Sequence, residues 1–63
     1  MAGDSLVPIK IVREKTGLGV TSIYEMMAQG RFPKQIPLTP RCVRWSQREI
    51  DEWIDERKAE RRS

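Results

Sequence analysis

Between residues 31 and 48 the chain carries Arg31, Lys34, Arg41, Arg44 and Arg48 and not one carboxylate. Cations spaced in this way suit a polyanion, because an arginine fork can grip a phosphate in two places at once and a lysine adds a mobile point charge. The flanks differ. Residues 1–30 set Lys10, Arg13 and Lys15 against Asp4, Glu14 and Glu25, and residues 49–63 hold six acids and four bases, so the net charge of +3 gathers in the middle of the chain. A local cationic strip is what a nucleic-acid backbone selects, and it is equally what a solvated basic loop carries. Charge alone leaves both readings open.

Bond-making chemistry is poorly supplied. The chain has no histidine, one cysteine and no glycine loop of the kind that cradles phosphates. The usual sets of nucleophile and base, and the usual metal ligands, therefore lack members. No enzyme, cofactor or metal site is expected. Cys42, between Arg41 and Arg44, is the one candidate nucleophile, but no second residue is available as its base, and a small filler in a strand is the plainer reading. With 38% apolar and 33% charged residues the 63-residue chain has the balance of one small globular domain rather than a disordered segment. Its apolar runs fall short of the roughly 18 residues that a membrane span requires. A lone cysteine cannot form an internal disulfide, and no basic segment leads into an apolar stretch with a cleavage site, so a cytoplasmic protein with no membrane partner is expected.

The elements that must position the cations are legible from punctuation and periodicity. Residues 1–5 lack a pattern and are expected to form a flexible arm, residues 6–60 a single domain, and residues 61–63 a frayed tail. Pro8 precedes a first short helix at about Lys10–Lys15 with Val12 inward, and Gly17 ends it. A second helix is expected from about Val20 to Gln29, with Gly19 as a weak N-cap and Gly30, then Pro33, as the stop. Ile23, Met27 and, less regularly, Tyr24 mark its buried stripe, leaving Val20, Thr21, Ser22, Glu25, Met26 and Gln29 outward. Gln35–Leu38 and "CVRWS" alternate as two strands of a hairpin that turns through Thr39, Pro40 and Arg41, with Arg44 on its outer face. Ser46 and Glu49 form a capping box ahead of a last helix striped by Ile50, Trp53 and Ile54. The expected core is Ile9, Val12, Leu18, Ile23, Met27, Phe32, Ile36, Val43, Trp45, Ile50, Trp53 and Ile54.

A helix, a tight glycine turn and a second helix match the helix-turn-helix unit, whose second helix places its N-terminal residues at base edges in the DNA major groove. The order of elements and four motifs, "TGLG-VTSIY", "GRFPK", "PRCVRW" and "SQREIDEWIDER", resemble the AlpA-type prophage regulators over about residues 6–57. These are small winged helix-turn-helix proteins related to phage excisionases and to the DNA-binding half of MerR-type regulators. The resemblance implies a mainly α fold of three helices and a two-stranded wing. It also implies double-stranded DNA as the partner, with the second helix in the major groove and the wing on neighbouring phosphates or in the minor groove. Two positions depart from the family pattern: Gly19 stands where serine is common, and Glu25 where a basic residue is frequent.

Under that resemblance Thr21 and Ser22 meet a phosphate or a base edge with their hydroxyls and nearby amides, and Val20 or Met26 either presses a thymine methyl or is an ordinary surface apolar. Glu25 accepts from a cytosine amino group or points into water, and Gln29 offers an amide to adenine. Tyr24 is either half core or a phosphate contact. Arg31 and Lys34 are phosphate clamps at the helix exit, and Arg41 and Arg44 are wing contacts, drawn further by a narrow minor groove. The function implied is sequence-specific DNA binding as a transcriptional regulator of an integrated element. The alternative is an excisionase-like directionality factor that bends DNA over tandem sites, with self-association on the DNA and an integrase as further partners. A rival from another class is a protein-interaction adaptor.

Overall fold

The computed structural model describes residues 4–61, whose elements run β1 (Leu6–Val7), α1 (Ile9–Thr16), α2 (Val20–Ala28), β2 (Ile36–Thr39), β3 (Cys42–Ser46) and α3 (Gln47–Glu60). Pro8 is the N-cap of α1, where a missing N–H goes unfelt because the first helical amides have no intrahelical partner. Gly17, at φ 74°, takes the left-handed conformation after α1 and donates its N–H to the Arg13 carbonyl at 2.8 Å. Thr16 locks the turn by donating its hydroxyl to the Val12 carbonyl and accepting from the Leu18 N–H. At the end of α2, Gly30 at φ 73° lets its own N–H reach the Met27 carbonyl and the Arg31 N–H reach that of Met26. That paired closure satisfies carbonyls a helix end would otherwise leave open. Both helices lie within two residues of their expected ends, with Gln29 serving as the C-cap of α2.

The wing is part of a three-stranded antiparallel sheet in the order β1-β3-β2, not a free two-stranded ribbon. Leu6 pairs with Ser46 and Val7 with Trp45, while Ile36, Pro37 and Thr39 pair with Arg44, Val43 and Cys42 across an irregularity between Pro37 and Thr39. A strand of two residues is too short to display alternation, which is why β1 is not readable from periodicity. Pro37 is tolerated because β2 is an edge strand and needs no donor on its open side.

Val7, Val12, Ile23, Phe32, Trp45 and Ile50 are buried, and Ile9, Ile11, Leu18, Met26, Met27, Val43, Trp53 and Ile54 pack against them. Two corrections concern side-chain direction. Met26, expected to face outward, is half-buried against this cluster, because the inward stripe of α2 takes in i, i+3 and i+4 from Ile23. Ile36, expected in the core, is half-buried outside the cluster at the start of an edge strand. Val7 and Ile11, absent from the expected core, join it once β1 docks. Across the surface Lys15 of α1 meets Asp51 of α3 at 2.7 Å.

The start of α3 is capped as its sequence indicates, with the Glu49 N–H donating to the Ser46 hydroxyl oxygen at 3.2 Å. The acid that completes this site is Asp4, from the segment expected to be a flexible arm. Its carboxylate accepts from the Ser46 hydroxyl, from the Arg48 N–H at 3.0 Å and from the Ser5 N–H at 2.8 Å, while the Gln47 N–H donates to the Ser5 carbonyl at 2.8 Å. Asp4 and Ser5 are thus fastened to the first turn of α3. The rest of the expected arm, residues 1–3, and residues 62–63 of the expected tail lie outside the described residues. The Ser46 hydroxyl, then the Arg48 amide, hold the Asp4 carboxyl below the usual aspartate range.

A carboxyl lowered on folding stabilises the fold fully above its unfolded range and ceases to do so as pH falls through the lowered value. Asp4→Asn is therefore expected to melt below the parent protein at neutral pH, with the gap closing on acidification; thermal scans across pH that show a constant gap would count against the clamp. Ser46→Ala, which deletes the cap, is expected to cost about 0.5–2 kcal/mol in denaturant unfolding.

Candidate functional site

The first turn of α2 stands in solvent. Val20 is 40% exposed, Thr21 and Ser22 are exposed beside it, and Glu25 and Gln29 are exposed further along the helix. Gly19, at φ −80° and ψ 165°, supplies no side-chain cap, so no cap oxygen competes for the first amides of α2. Those amides, the positive end of the helix dipole and two short hydroxyls form a small anion-seeking tip.

Tyr24 lies outside the core cluster but touches it at one ring. Its side chain is 41% exposed, yet the ring meets Trp45 edge-on with centroids 6.3 Å apart and planes inclined at 71°. Because Trp45 belongs to β3, this contact joins the outer part of α2 to the strand that carries Arg44. At the hairpin turn Arg41 is exposed, and its N–H donates to the Thr39 hydroxyl oxygen at 3.3 Å, which steadies the two-residue tip. Arg44, expected to stand free on the outer face, is half-buried, and its Nη1 donates to the Val43 carbonyl at 2.9 Å. One fork position is thus used on its own strand, and the other guanidinium donors remain for a ligand.

Arg31 and Lys34 are exposed on the segment that leaves α2. The ion pairs sort the cations into two groups. Lys15, Arg48 and Arg57 face Asp51, Glu52 and Glu60, whereas among the described residues no acid engages Arg31, Lys34, Arg41 or Arg44. Of the five cations in the acid-free strip, Arg48 is thus drawn to an acid of α3, and the other four are not paired among the described residues. Glu49, Glu52, Glu56 and Glu60 line a groove between α3 and residues 30–36, so the negative charge of α3 collects along one side of that segment. The sequence does not reveal this groove, because its far wall comes from residues distant in the chain.

One contact at this site was not foreseen. The Trp53 indole N–H donates to the Arg31 carbonyl at 2.9 Å, and Phe32 packs edge-on against the same ring with centroids 4.9 Å apart. The i, i+3, i+4 stripe of α3 identified Trp53 as an inward residue; no signal in the sequence named its acceptor.

The family described as Prophage CP4-57 regulatory protein (AlpA) matches residues 5–58 of the chain. No curated protein matches it.

The two glycines that bracket α2 are expected to respond oppositely to substitution. A Cβ at either position meets nothing within 4 Å, so backbone conformation decides the sign. Gly30→Ala forces a left-handed alanine and is expected to destabilise by about 1–2 kcal/mol. Gly19→Ser keeps an allowed extended conformation, adds a cap and stiffens the unfolded chain, and is expected to stabilise by roughly 0.4–1 kcal/mol. Urea unfolding of both variants checks this, and shifts of the same sign would refute it.

Proposed function

Because the chain belongs to the AlpA family of prophage regulatory proteins, we propose that it regulates by binding double-stranded DNA sequence-specifically, with α2 in the major groove and the β2–β3 hairpin on the adjacent backbone or minor groove. The observation that carries this reading is the join between an exposed, side-chain-uncapped α2 tip and an arginine-bearing hairpin, made by Tyr24 against Trp45. Two probes of one duplex have to be held together, and a ring contact between helix and sheet supports that.

The roles follow from chemistry. Thr21, Ser22 and the first amides of α2 take a phosphate or a base edge, and Val20 lies against a thymine methyl. Glu25 and Gln29 read or face the groove from farther along the helix, where Glu25 would select for a cytosine amino group. Arg31 and Lys34 clamp phosphates at the helix exit, Arg41 leads the wing, and Arg44 follows it with the donors left over from its bond to Val43. The Tyr24 hydroxyl contributes a phosphate contact from the exposed edge of its ring. Nothing in this scheme makes or breaks a covalent bond: the protein acts by occupying DNA, in the cytoplasm. Among the described residues no helix is long and apolar enough to cross a membrane.

Titration of labelled duplex DNA at several salt concentrations tests the proposal. With about four to six phosphates neutralised, the slope of log affinity against log salt is expected near −4 to −5, and failure to bind any duplex at low salt would defeat the reading. Arg41→Ala and Arg44→Ala are each expected to weaken binding to all sequences alike and to flatten the slope by about 0.9. Thr21→Ala is expected to leave the slope in place and change the ranking among sites recovered from a random oligonucleotide pool.

A further inference from the structure

Arg31 stands where α2 ends, and the peptide groups on both sides of its Cα are held. Its N–H donates to the Met26 carbonyl at 2.8 Å, closing the helix, and its carbonyl accepts the indole N–H of Trp53 at 2.9 Å. Trp53 comes from α3, and its ring is itself confined. Phe32, only 5% exposed, meets it edge-on, and the Arg57 guanidinium lies over it at 5.4 Å while bonded to Glu60 at 2.7 Å. Packing alone does not require tryptophan here, since another aromatic ring would also fill the place. What indole adds is one donor directed at one carbonyl.

That donor matters because of what the neighbouring side chains lack. Neither Arg31 nor Lys34 is engaged by an acid among the described residues, so the backbone of this short segment sets where their exposed side chains start. With the peptide before its Cα and the peptide after it each hydrogen-bonded, Arg31 has its backbone torsions restrained, and a cation launched from a restrained backbone loses less freedom when it meets a phosphate. We propose that Trp53 is a positioning residue for DNA binding: its N–H holds the Arg31–Phe32 peptide, and through it the phosphate clamp formed by Arg31 and Lys34. The proposal rests on the DNA-binding reading and adds to it a residue that does not itself touch DNA.

Two variants remove the donor: Trp53→Phe, and replacement of Trp53 by β-(3-benzothienyl)alanine, which keeps the bicyclic shape and exchanges the N–H for sulfur. If Trp53→Phe does not fold, the isostere carries the same readouts. In the DNA-free protein, ¹⁵N relaxation is expected to show raised mobility at residues 31–34 with α1 unchanged. On duplex DNA the affinity is expected to fall about three- to tenfold with a shallower salt slope, as for loss of roughly one phosphate contact. Arg31→Ala is expected to cost less in the donor-free background than in the parent, because the two changes act on one contact. Unaltered mobility of residues 31–34 in a folded donor-free variant would overturn the proposal, as would full additivity with Arg31→Ala. Parent protein that binds DNA and is weakened by Arg31→Ala but not by donor removal sinks the positioning role alone. Parent protein that binds no duplex sinks the DNA-binding reading and this proposal together.

Discussion

Trp45 on β3 is the contact on which the rest of the molecule depends. With none of its surface exposed, it is the largest fully buried side chain of a chain of 63 residues, and it lies on the central strand of the sheet. It pairs with Val7 of β1 and meets the ring of Tyr24 from α2. Its neighbours in sequence face other work, Arg44 toward the wing and Ser46 as the cap of α3. The indole N–H is enclosed without an acceptor, a cost on the order of 1–3 kcal/mol. The ring's burial and its edge contact oppose that cost, since a small domain has few other large groups with which to join a helix pair to a sheet.

Around this centre the structure separates two uses of charge. On α3 the acids and bases serve the helix, its dipole and its neighbours: Lys15 reaches Asp51, Arg48 pairs with Glu52, and Arg57 pairs with Glu60 while covering Trp53. In the acid-free stretch before it, no acid among the described residues engages the cations, and Arg44 bonds a carbonyl instead. Exposed pairs of the first kind add little stability, typically under about 1 kcal/mol each. Arg31 and Lys34 share a groove with the glutamates of α3, whereas Arg41 stands exposed at the hairpin tip.

Much of the fold was open to sequence reasoning, for local reasons. Gly17 and Gly30 mark helix ends because only glycine adopts the left-handed conformation there without strain, and both are found at positive φ. Ser46, followed three residues later by Glu49, announced a helix start, and the serine half of that capping box is observed. The hairpin followed from alternation. Its third strand did not, because two residues carry no period, and with that strand went Val7 and the role of Asp4. The candidate site divides in the same way. Residue types in the α2 tip and the cationic strip were legible, whereas the half-burial of Arg44 and the contact of Tyr24 with Trp45 depend on packing between segments about 20 residues apart in the chain.

The amino-acid sequence by itself determined where elements begin and end, which stripes turn inward and where positive charge collects, since caps, turns, periodicity and composition act over a few residues. Tertiary structure decided the rest: that Asp4 serves as the acid of the α3 cap, that the Trp53 N–H holds the Arg31 carbonyl, and that β1 completes the sheet. Each of these is a hydrogen bond or strand pairing between residues far apart in sequence. Such bonds are selected by which surfaces meet after burial of the apolar stripes, and no local pattern records the partner.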